Sequence, residues 1–171
     1  MDVLEAIARR RSIRKYTGEH ISEAKMDVLV RAGQDAPSAG NLQARDFIVV
    51  RGADTRQKLA LASLGQPQVD KADALIVVCA NVPRSSSRYG ERGALYAQQD
   101  AVASVQNMLM AAHALGLGTC WIGAFDAHEV GRILEVPSGV VPSAIITVGV
   151  PAEEPRKPKR FTKENVHIEV W

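Results

Sequence analysis

The sequence has few of the residues that build metal or disulfide sites. Its two cysteines, Cys79 and Cys120, lie far apart, form no CxxC pair and have no histidine at metal-ligand spacing. We therefore expect reduced thiols and no bound metal. No uncharged apolar run approaches the roughly 20 residues that cross a bilayer. The first residues include Asp2 and Glu5 and lack the apolar stretch of a secretory signal, so we expect a cytoplasmic protein without membrane contact.

Aromatic residues are also scarce, at 5% of the chain, and positive charge is concentrated near the two ends. Five of the seven residues in Arg9–Lys15 are cationic, and five further cations lie near the C-terminus: Arg156, Lys157, Lys159, Arg160 and Lys163. These two clusters hold ten of the 21 lysines and arginines, which leaves 11 basic against 19 acidic residues elsewhere, a balance of −8. An acidic body without a recognition helix or an aromatic platform argues against nucleic-acid binding.

The two cationic clusters are instead predicted to bind one small anion, most simply a phosphate. The planar fork of arginine suits this role, because it donates two parallel hydrogen bonds to phosphate oxygens. A predicted helix precedes the first cluster, so its C-terminal end faces the arginines. That end of the helix dipole disfavours anions, and the arginine side chains themselves must supply the binding.

Hydrophobic periodicity and capping residues predict five helices and four strands in a single domain, residues 1–171. The first helix is predicted to begin at Asp2, which forms a capping box with Glu5, and to carry an apolar stripe of Val3, Leu4, Ile7 and Ala8. The second is predicted to begin at Ser22 and to end before Pro37. The others are predicted from residue 54 or 55 to 64, from 94 to 115, and from Asp126 onward. The strands are predicted at residues 47–50, 74–80, 119–122 and 143–150. The polar residues 81–93 are predicted to form a mobile surface loop.

The C-terminal residues 151–171 are predicted to form an extended arm, because a polar, proline-rich stretch cannot build its own core. The arm ends in Val166–Trp171, whose alternation is typical of a strand that needs a sheet to join. The helix over 94–115 carries apolar residues around most of its circumference, which predicts burial in a core or an oligomer interface. Together these features predict a homodimer in which each arm crosses onto the other subunit.

Glycine-rich residues 116–123 do not form a dinucleotide-binding fingerprint. Trp121 occupies the place of the third glycine, and the segment follows a predicted helix and precedes a strand, the reverse of the required order.

Four segments of the chain resemble the motifs of the nitroreductase-like flavoproteins, in the same order and over nearly the whole length. Residues 10–16 (RRSIRKY) are similar to the N-terminal R-R-S-x-R-x-(F/Y) motif, and residues 36–43 (APSAGNLQ) are similar to the A-P-S-x-x-N-x-Q loop. Residues 116–123 (GLGTCWIG) resemble the segment under the flavin ring. Val148–Pro151, followed by Lys157–Arg160, resembles the G-x-P…K-x-R close.

The resemblance implies an α+β protein with three α/β/α layers around a mostly antiparallel sheet, and a C-terminal strand exchanged between subunits. It also implies FMN as the cofactor. The residues expected at the FMN phosphate are Arg10, Arg11 through its backbone, Ser12, Arg14, Lys159 and Arg160. The loop residues expected to pack against the flavin of the partner subunit are Pro37, Ser38, Ala39, Asn41 and Gln43. The backbone of Ile122 and Gly123 is expected to meet the flavin ring.

The implied activity is ping-pong hydride transfer from NAD(P)H to flavin N5, followed by reduction of a quinone, a nitroaromatic compound or a similar acceptor. No side chain is expected to be catalytic, since the cofactor carries the redox chemistry. Two alternatives stay open: another reaction on the same fold, such as substrate dehydrogenation, dehalogenation or oxygen chemistry, and a non-catalytic FMN-binding module. The polar segment 81–93, with Arg84, Arg88, Tyr89 and Arg92, is either a lid that contacts NAD(P)H or an acidic substrate, or ordinary surface. Asp100 and His113 are expected to have structural roles.

Overall fold

An antiparallel sheet lies at the centre of the protein. The computed structural model describes residues 1–160 and 165–171, and in that part of the chain the sheet has four strands in the order β1-β2-β4-β3. The strands are β1 (Arg45–Val50), β2 (Ala74–Asn81), β3 (Gly118–Ile122) and β4 (Val140–Gly149). The helices of the same residues are α1 (Val3–Arg9), α2 (Glu23–Gln34), α3 (Ala53–Ala62), α4 (Pro67–Lys71), α5 (Val82–Tyr89), α6 (Gly93–Ala114) and α7 (Ala127–Ile133).

Helices cover both faces of the sheet, which explains the unbroken apolar run of β2. Even-numbered residues of this strand, such as Ile76, pack with α2 and α6, whereas odd-numbered residues, such as Val77, pack with α3, α4 and α7. Every residue of β2 except Asn81 is therefore buried. The three-layer α/β/α arrangement and the antiparallel sheet confirm the predicted architecture.

The long helix α6 forms the centre of one helical layer. It begins and ends within one residue of the predicted bounds, and its core face includes Ala97, Val105 and Met108. On other sides of the helix, Leu95 is 57% exposed and Val102 is 36% exposed. The apolar circumference thus contains one core face and apolar side chains that are exposed in the single chain.

The prediction of a loop at residues 81–93 is wrong. The Asn81 side chain accepts a hydrogen bond from the Arg84 N–H (3.1 Å) and begins α5, which leads through a short 3-10 turn into α6. Ser85 is fully buried, and a Cβ atom at Gly93 would overlap Ser86. Ser85 and Ser86, which resemble a loop by composition, are the small side chains that let α5 pack against α6.

Two further differences from the predictions lie in α1 and α4. Asp2 caps α1 as predicted, but Glu5 pairs with Arg9 instead of completing a capping box, and the apolar residues of the stripe are largely exposed. Helix α4 was not predicted, because its five residues are too short for a periodic pattern. Val166–Trp171 is exposed and forms no strand within the single chain. Strand exchange with a partner remains a prediction, and Lys163 of the C-terminal cluster lies outside the described residues.

The part of the chain that the structure describes contains no helix with the length and apolar character of a membrane span.

Candidate functional site

The arginine segment after α1 is held against the sheet by backbone hydrogen bonds. The Ile13 N–H donates to the Thr119 carbonyl of β3 (2.8 Å), and the Thr17 N–H donates to the Val150 carbonyl just after β4 (3.0 Å). The Ala152 N–H donates back to the Lys15 carbonyl (2.9 Å). The segment therefore lies between the start of β3 and the chain that leaves β4, and its side chains have a fixed origin.

Two glycines make room for this segment. A Cβ atom at Gly118 would lie 2.8 Å from Cγ2 of Ile13, and one at Gly149 would lie 2.7 Å from Cγ of Tyr16. Both distances are too short for a side chain, so glycine is required at both positions. The glycines of the third and fourth motifs thus serve the packing of the first motif.

A network of hydroxyl groups fixes Tyr16 beneath the segment. Its hydroxyl donates to the Ile13 carbonyl (2.7 Å) and lies 2.5 Å from the Thr147 hydroxyl, which also accepts from the Cys120 N–H (3.1 Å). Burial raises the pKa of Tyr16 above its ordinary value. The phenol therefore stays neutral at physiological pH and has a structural role.

A cationic cavity of about 400 Å³ opens beside the arginine segment. Its lining includes four of the residues predicted to bind phosphate in the N-terminal motif and one from the C-terminal arm: Arg10, Arg11, Ser12, Arg14 and Arg160. Burial lowers the pKa of Arg10, and the positive charges of Arg11 and Arg160 lower it further. These charges repel one another, and a bound anion would relieve that repulsion.

Other predicted phosphate residues differ in their contacts. Lys159 does not line this cavity, whereas Lys157 lines a neighbouring cavity of about 520 Å³ that shares Arg10 and Arg11. The Arg11 guanidinium donates to the carbonyls of Ala8 (2.8 Å) and Arg10 (2.7 Å). Part of the hydrogen-bonding capacity of the Arg11 guanidinium is therefore used at the C-terminal end of α1.

Sequence reasoning did not identify Glu153, which anchors the arginine segment. Its carboxylate accepts hydrogen bonds from the backbone N–H groups of Arg14 (2.5 Å) and Lys15 (3.1 Å), and it lines the cationic cavity. The hydrogen bond from the Arg14 N–H lowers the pKa of Glu153. Partial burial raises this pKa, and the hydrogen bond from the Lys15 N–H lowers it further. The only sequence signal is an acidic residue two positions after Pro151, and nothing local links it to Arg14.

The loop of the second motif lies elsewhere in the chain. Residues 37–43 precede β1, and Ala39–Asn41 form a 3-10 turn. The two cavities described above, which Arg10 and Arg11 both line, include none of residues 37–43. Within one chain, the structure does not bring these two groups of predicted site residues together.

The loop contacts helix α5 on one side. The Arg84 guanidinium donates to the Gln43 carbonyl (2.6 Å) and to Oδ1 of Asp46 (3.0 Å), and the Arg88 guanidinium donates to the Gly40 carbonyl (3.5 Å). These two arginines therefore support the loop, whereas Arg92 makes no such contact within residues 1–160 and 165–171.

Ile122 and Gly123 mark the end of β3. The Ile122 side chain is buried in the core beneath the sheet, and Gly123 is exposed. A Cβ atom at Gly123 would meet only Nε1 of Trp121, at 3.9 Å, which is an ordinary contact. Contacts within the chain therefore do not require glycine here, and the backbone is open to a molecule from outside.

His113 on α6 lies near the cationic end of the protein. Its Nε2 is buried and has no hydrogen-bond partner among the described residues. Burial lowers the pKa of His113, and the positive charges of Arg10 and Arg9 lower it further.

Among the described residues, no group of three His, Cys, Asp or Glu side chains could hold a metal ion.

The Glu153 anchor makes a prediction about pH. Because the folded state holds the pKa of Glu153 below its ordinary value of 4.5, its charge stabilises the protein above that pH, and the stabilisation is lost as the pH falls through the lowered pKa. We expect Glu153→Gln to lower the free energy of unfolding at neutral pH, and the difference from wild type to shrink toward acid. Urea titrations across this pH range measure the difference in free energy of unfolding between the variant and wild type. The exposed neighbour Glu154 supplies the matched control Glu154→Gln, and equal effects of both substitutions would contradict the anchor.

Comparison with known proteins identifies relatives along the whole chain. The model of the Nitroreductase family matches residues 7–80 and 64–150. A protein of Methanothermobacter thermautotrophicus, provisionally named an NADH dehydrogenase/NAD(P)H nitroreductase, is 35% identical over 100% of this chain and 88% of its own length. An FMN reductase (NADPH) of Bacillus subtilis is 30% identical over 98% of this chain and 73% of its own length.

The solved structures agree with the sequence relatives. The structure of B. megaterium NfrA1 superposes with a TM-score of 0.93 at 32% identity, over 99% of this chain and 74% of that one. This similarity confirms the nitroreductase-like fold that the four motifs imply. Because the family model spans most of the sequence and the archaeal relative is 35% identical over all of it, this chain belongs to the nitroreductase family.

Proposed function

We propose that the protein is an FMN-dependent oxidoreductase that takes hydride from NAD(P)H and reduces a quinone, a nitroaromatic compound or a similar acceptor. The observation that carries the proposal is the cationic cavity, where Arg10, Ser12 and Arg14 converge with Arg160 of the C-terminal arm. The printed name of the B. subtilis relative, an FMN reductase (NADPH), supports the same cofactor and reductant.

The donors of the cavity fit a phosphate group. A phosphate monoester carries close to two negative charges at neutral pH and has three strong acceptor oxygens. The guanidinium groups of Arg10, Arg14 and Arg160 donate charge-assisted hydrogen bonds to such oxygens, and the Ser12 hydroxyl adds a neutral donor. The lowered pKa of Arg10 reflects burial and cationic neighbours, and a phosphate dianion would offset both effects.

The remaining predicted residues would hold the flavin ring. When bound, FMN supplies the redox chemistry by accepting hydride at N5 and passing it to the acceptor. The exposed backbone of Gly123, which follows the buried Ile122, would lie along the ring, and the amides of Asn41 and Gln43 would hydrogen-bond its polar edge. Lys159, next to Arg160 on the exposed arm, would add positive charge at the phosphate. In these assignments the protein binds and orients the flavin and supplies no catalytic acid or base.

The purified protein tests the proposal directly. We expect it to bind FMN and to oxidise NADH or NADPH with menadione as the acceptor, with the parallel double-reciprocal lines of a ping-pong mechanism. A protein that cannot be reconstituted with FMN would contradict the cofactor assignment. A bound flavin that dithionite reduces but neither nicotinamide reduces would contradict the reductase activity and favour a non-catalytic FMN-binding module.

We also propose that the protein is a homodimer with the flavin at the interface. In a single chain, Val3, Leu4 and Ile7 of α1 are each more than half exposed, although apolar. Val166–Trp171 is also exposed, and the loop of residues 37–43 lies away from the arginine segment. A second subunit would cover the apolar side chains and would bring the loop of one chain to the arginines of the other.

Sedimentation equilibrium measures the subunit number. We expect a dimer that persists at micromolar concentration, since coverage of α1 and of the arm would bury a large apolar area. A monomer that keeps its FMN would show that one chain builds the whole site, and would contradict the shared interface.

Two adjacent arginines provide a test of the phosphate contact. We expect Arg10→Ala to raise the Kd for FMN by at least about tenfold, because it removes a charge-assisted hydrogen bond in a partly buried cavity. Arg9 is exposed, pairs with Glu5 at 2.7 Å and does not line that cavity, so we expect Arg9→Ala to change the Kd by less than about twofold. Fluorescence titration with FMN measures both values. Equal losses at the two positions would show that the motif has been aligned in the wrong register.

A further inference from the structure

Two buried charged side chains hold the loop of residues 36–44 from opposite sides. Arg45, the first residue of β1, and Asp100, in α6, are each only 4% exposed. They form no direct ion pair within 4.0 Å in the described chain. Because buried charges are costly unless they are well paired, the partners of these two residues indicate what they stabilise.

Arg45 donates to the carbonyl groups that lead into the loop. One guanidinium nitrogen lies 2.7 Å from the Gln34 carbonyl and 2.7 Å from the Ala36 carbonyl, and the other lies 3.3 Å from the Pro37 carbonyl. The guanidinium thus joins the end of α2 to the start of the loop. A single lysine ammonium cannot reproduce this planar set of contacts.

Asp100 accepts from two backbone N–H groups within the loop. Its Oδ1 lies 2.9 Å from the Ala39 nitrogen and its Oδ2 lies 3.3 Å from the Ala44 nitrogen. One carboxylate therefore fixes both ends of the stretch that contains Asn41 and Gln43. Asparagine would place a donor against one of these N–H groups, so it can serve only one of them.

The stretch between these two N–H groups is strained. Asn41 has a φ of 55° and Gln43 a φ of 50°, both in the left-handed region. For residues other than glycine this region is unfavourable, and such residues persist when the surrounding structure enforces them. The network of Arg45 and Asp100 supplies that enforcement.

The strained backbone leaves two side-chain amides available. Asn41 and Gln43 are exposed, and within residues 1–160 and 165–171 no hydrogen bond involves either side-chain amide. Gln43 uses only its backbone, donating to the Ser38 hydroxyl (3.0 Å) and accepting from Arg84. The buried charges therefore shape a loop whose polar side chains are free to bind a ligand.

We propose that Asp100 and Arg45 are positioning residues for the flavin: they hold the loop of residues 36–44 in the strained form that presents Asn41 and Gln43 to the cofactor of the partner subunit. This inference rests on the proposed function, since it takes the loop as a flavin contact. Neither residue touches the flavin, and both act through the loop backbone. A preformed loop lowers the free energy that would otherwise be spent on ordering it during binding.

The test compares two substitutions with a matched control. We expect Asp100→Asn and Arg45→Lys each to raise the Kd for FMN by at least about tenfold, since a hydrogen bond to a buried charge is lost and the loop is freed. Asp73 also accepts a backbone N–H, from Ile21 at 3.0 Å, and binds an arginine, Arg51 at 2.8 Å. Asp73→Asn should lower stability comparably and change the Kd by less than about twofold.

The visible spectrum of bound FMN separates positioning from general destabilisation. With saturating FMN, we expect the flavin bands of Asp100→Asn and Arg45→Lys to shift toward those of free FMN, and those of Asp73→Asn to match wild type. If Asp100→Asn does not fold, Arg45→Lys carries the same comparison. Unchanged affinity and spectrum in a folded variant would overturn the positioning role while wild type still binds FMN. Failure of wild type to bind FMN would overturn the proposed function itself.

Discussion

The candidate site depends on the hydrogen bonds that fix residues 12–17 between the start of β3 and the end of β4. Helix α1 presents its C-terminal end to the arginines, so its dipole gives no help with an anion. The strands instead hold the backbone, and Gly118 and Gly149 are small enough to let Ile13 and Tyr16 approach. The arginine side chains can then converge on one cavity, because each begins from a rigid position.

Concentrating cations in this way has an energetic cost that the fold partly offsets. Burial lowers the pKa of Arg10, and the positive charges of Arg11 and Arg160 lower it further. Glu153 adds one negative charge at the rim, and one of its oxygens, Oε1, accepts hydrogen bonds from the N–H groups of both Arg14 and Lys15. It secures the backbone, while the guanidinium groups of Arg10 and Arg14 remain directed at the cavity. This division of roles suits a site for a small, doubly charged anion.

The loop of residues 36–44 differs from the cationic cavity in where its charges lie, because the two charged residues that hold it from opposite sides are buried and its exposed side chains are neutral. The loop of residues 36–44 is shaped by two charges that are almost fully buried, Arg45 and Asp100. Their hydrogen bonds go to backbone groups, so the exposed amides of Asn41 and Gln43 are left for recognition. In the proposed dimer, the cationic cavity of one chain and the strained polar loop of the other would suit a ligand with a phosphate at one end and a ring with amide-like edges at the other.

The sequence by itself determined the features that depend on neighbours along the chain. The apolar run of β2, the caps at Ser22 and Asp126, the extent of α6 and the family motifs are all local patterns, and the structure contains each element they predict. Only the tertiary structure decided that Ser85 and Ser86 of α5 pack against α6, that Asp100 fixes a loop 61 positions away, and that Glu153 binds Arg14 across 139 positions. Local periodicity and capping carry no record of such contacts, because their energy exists only once distant segments are folded together.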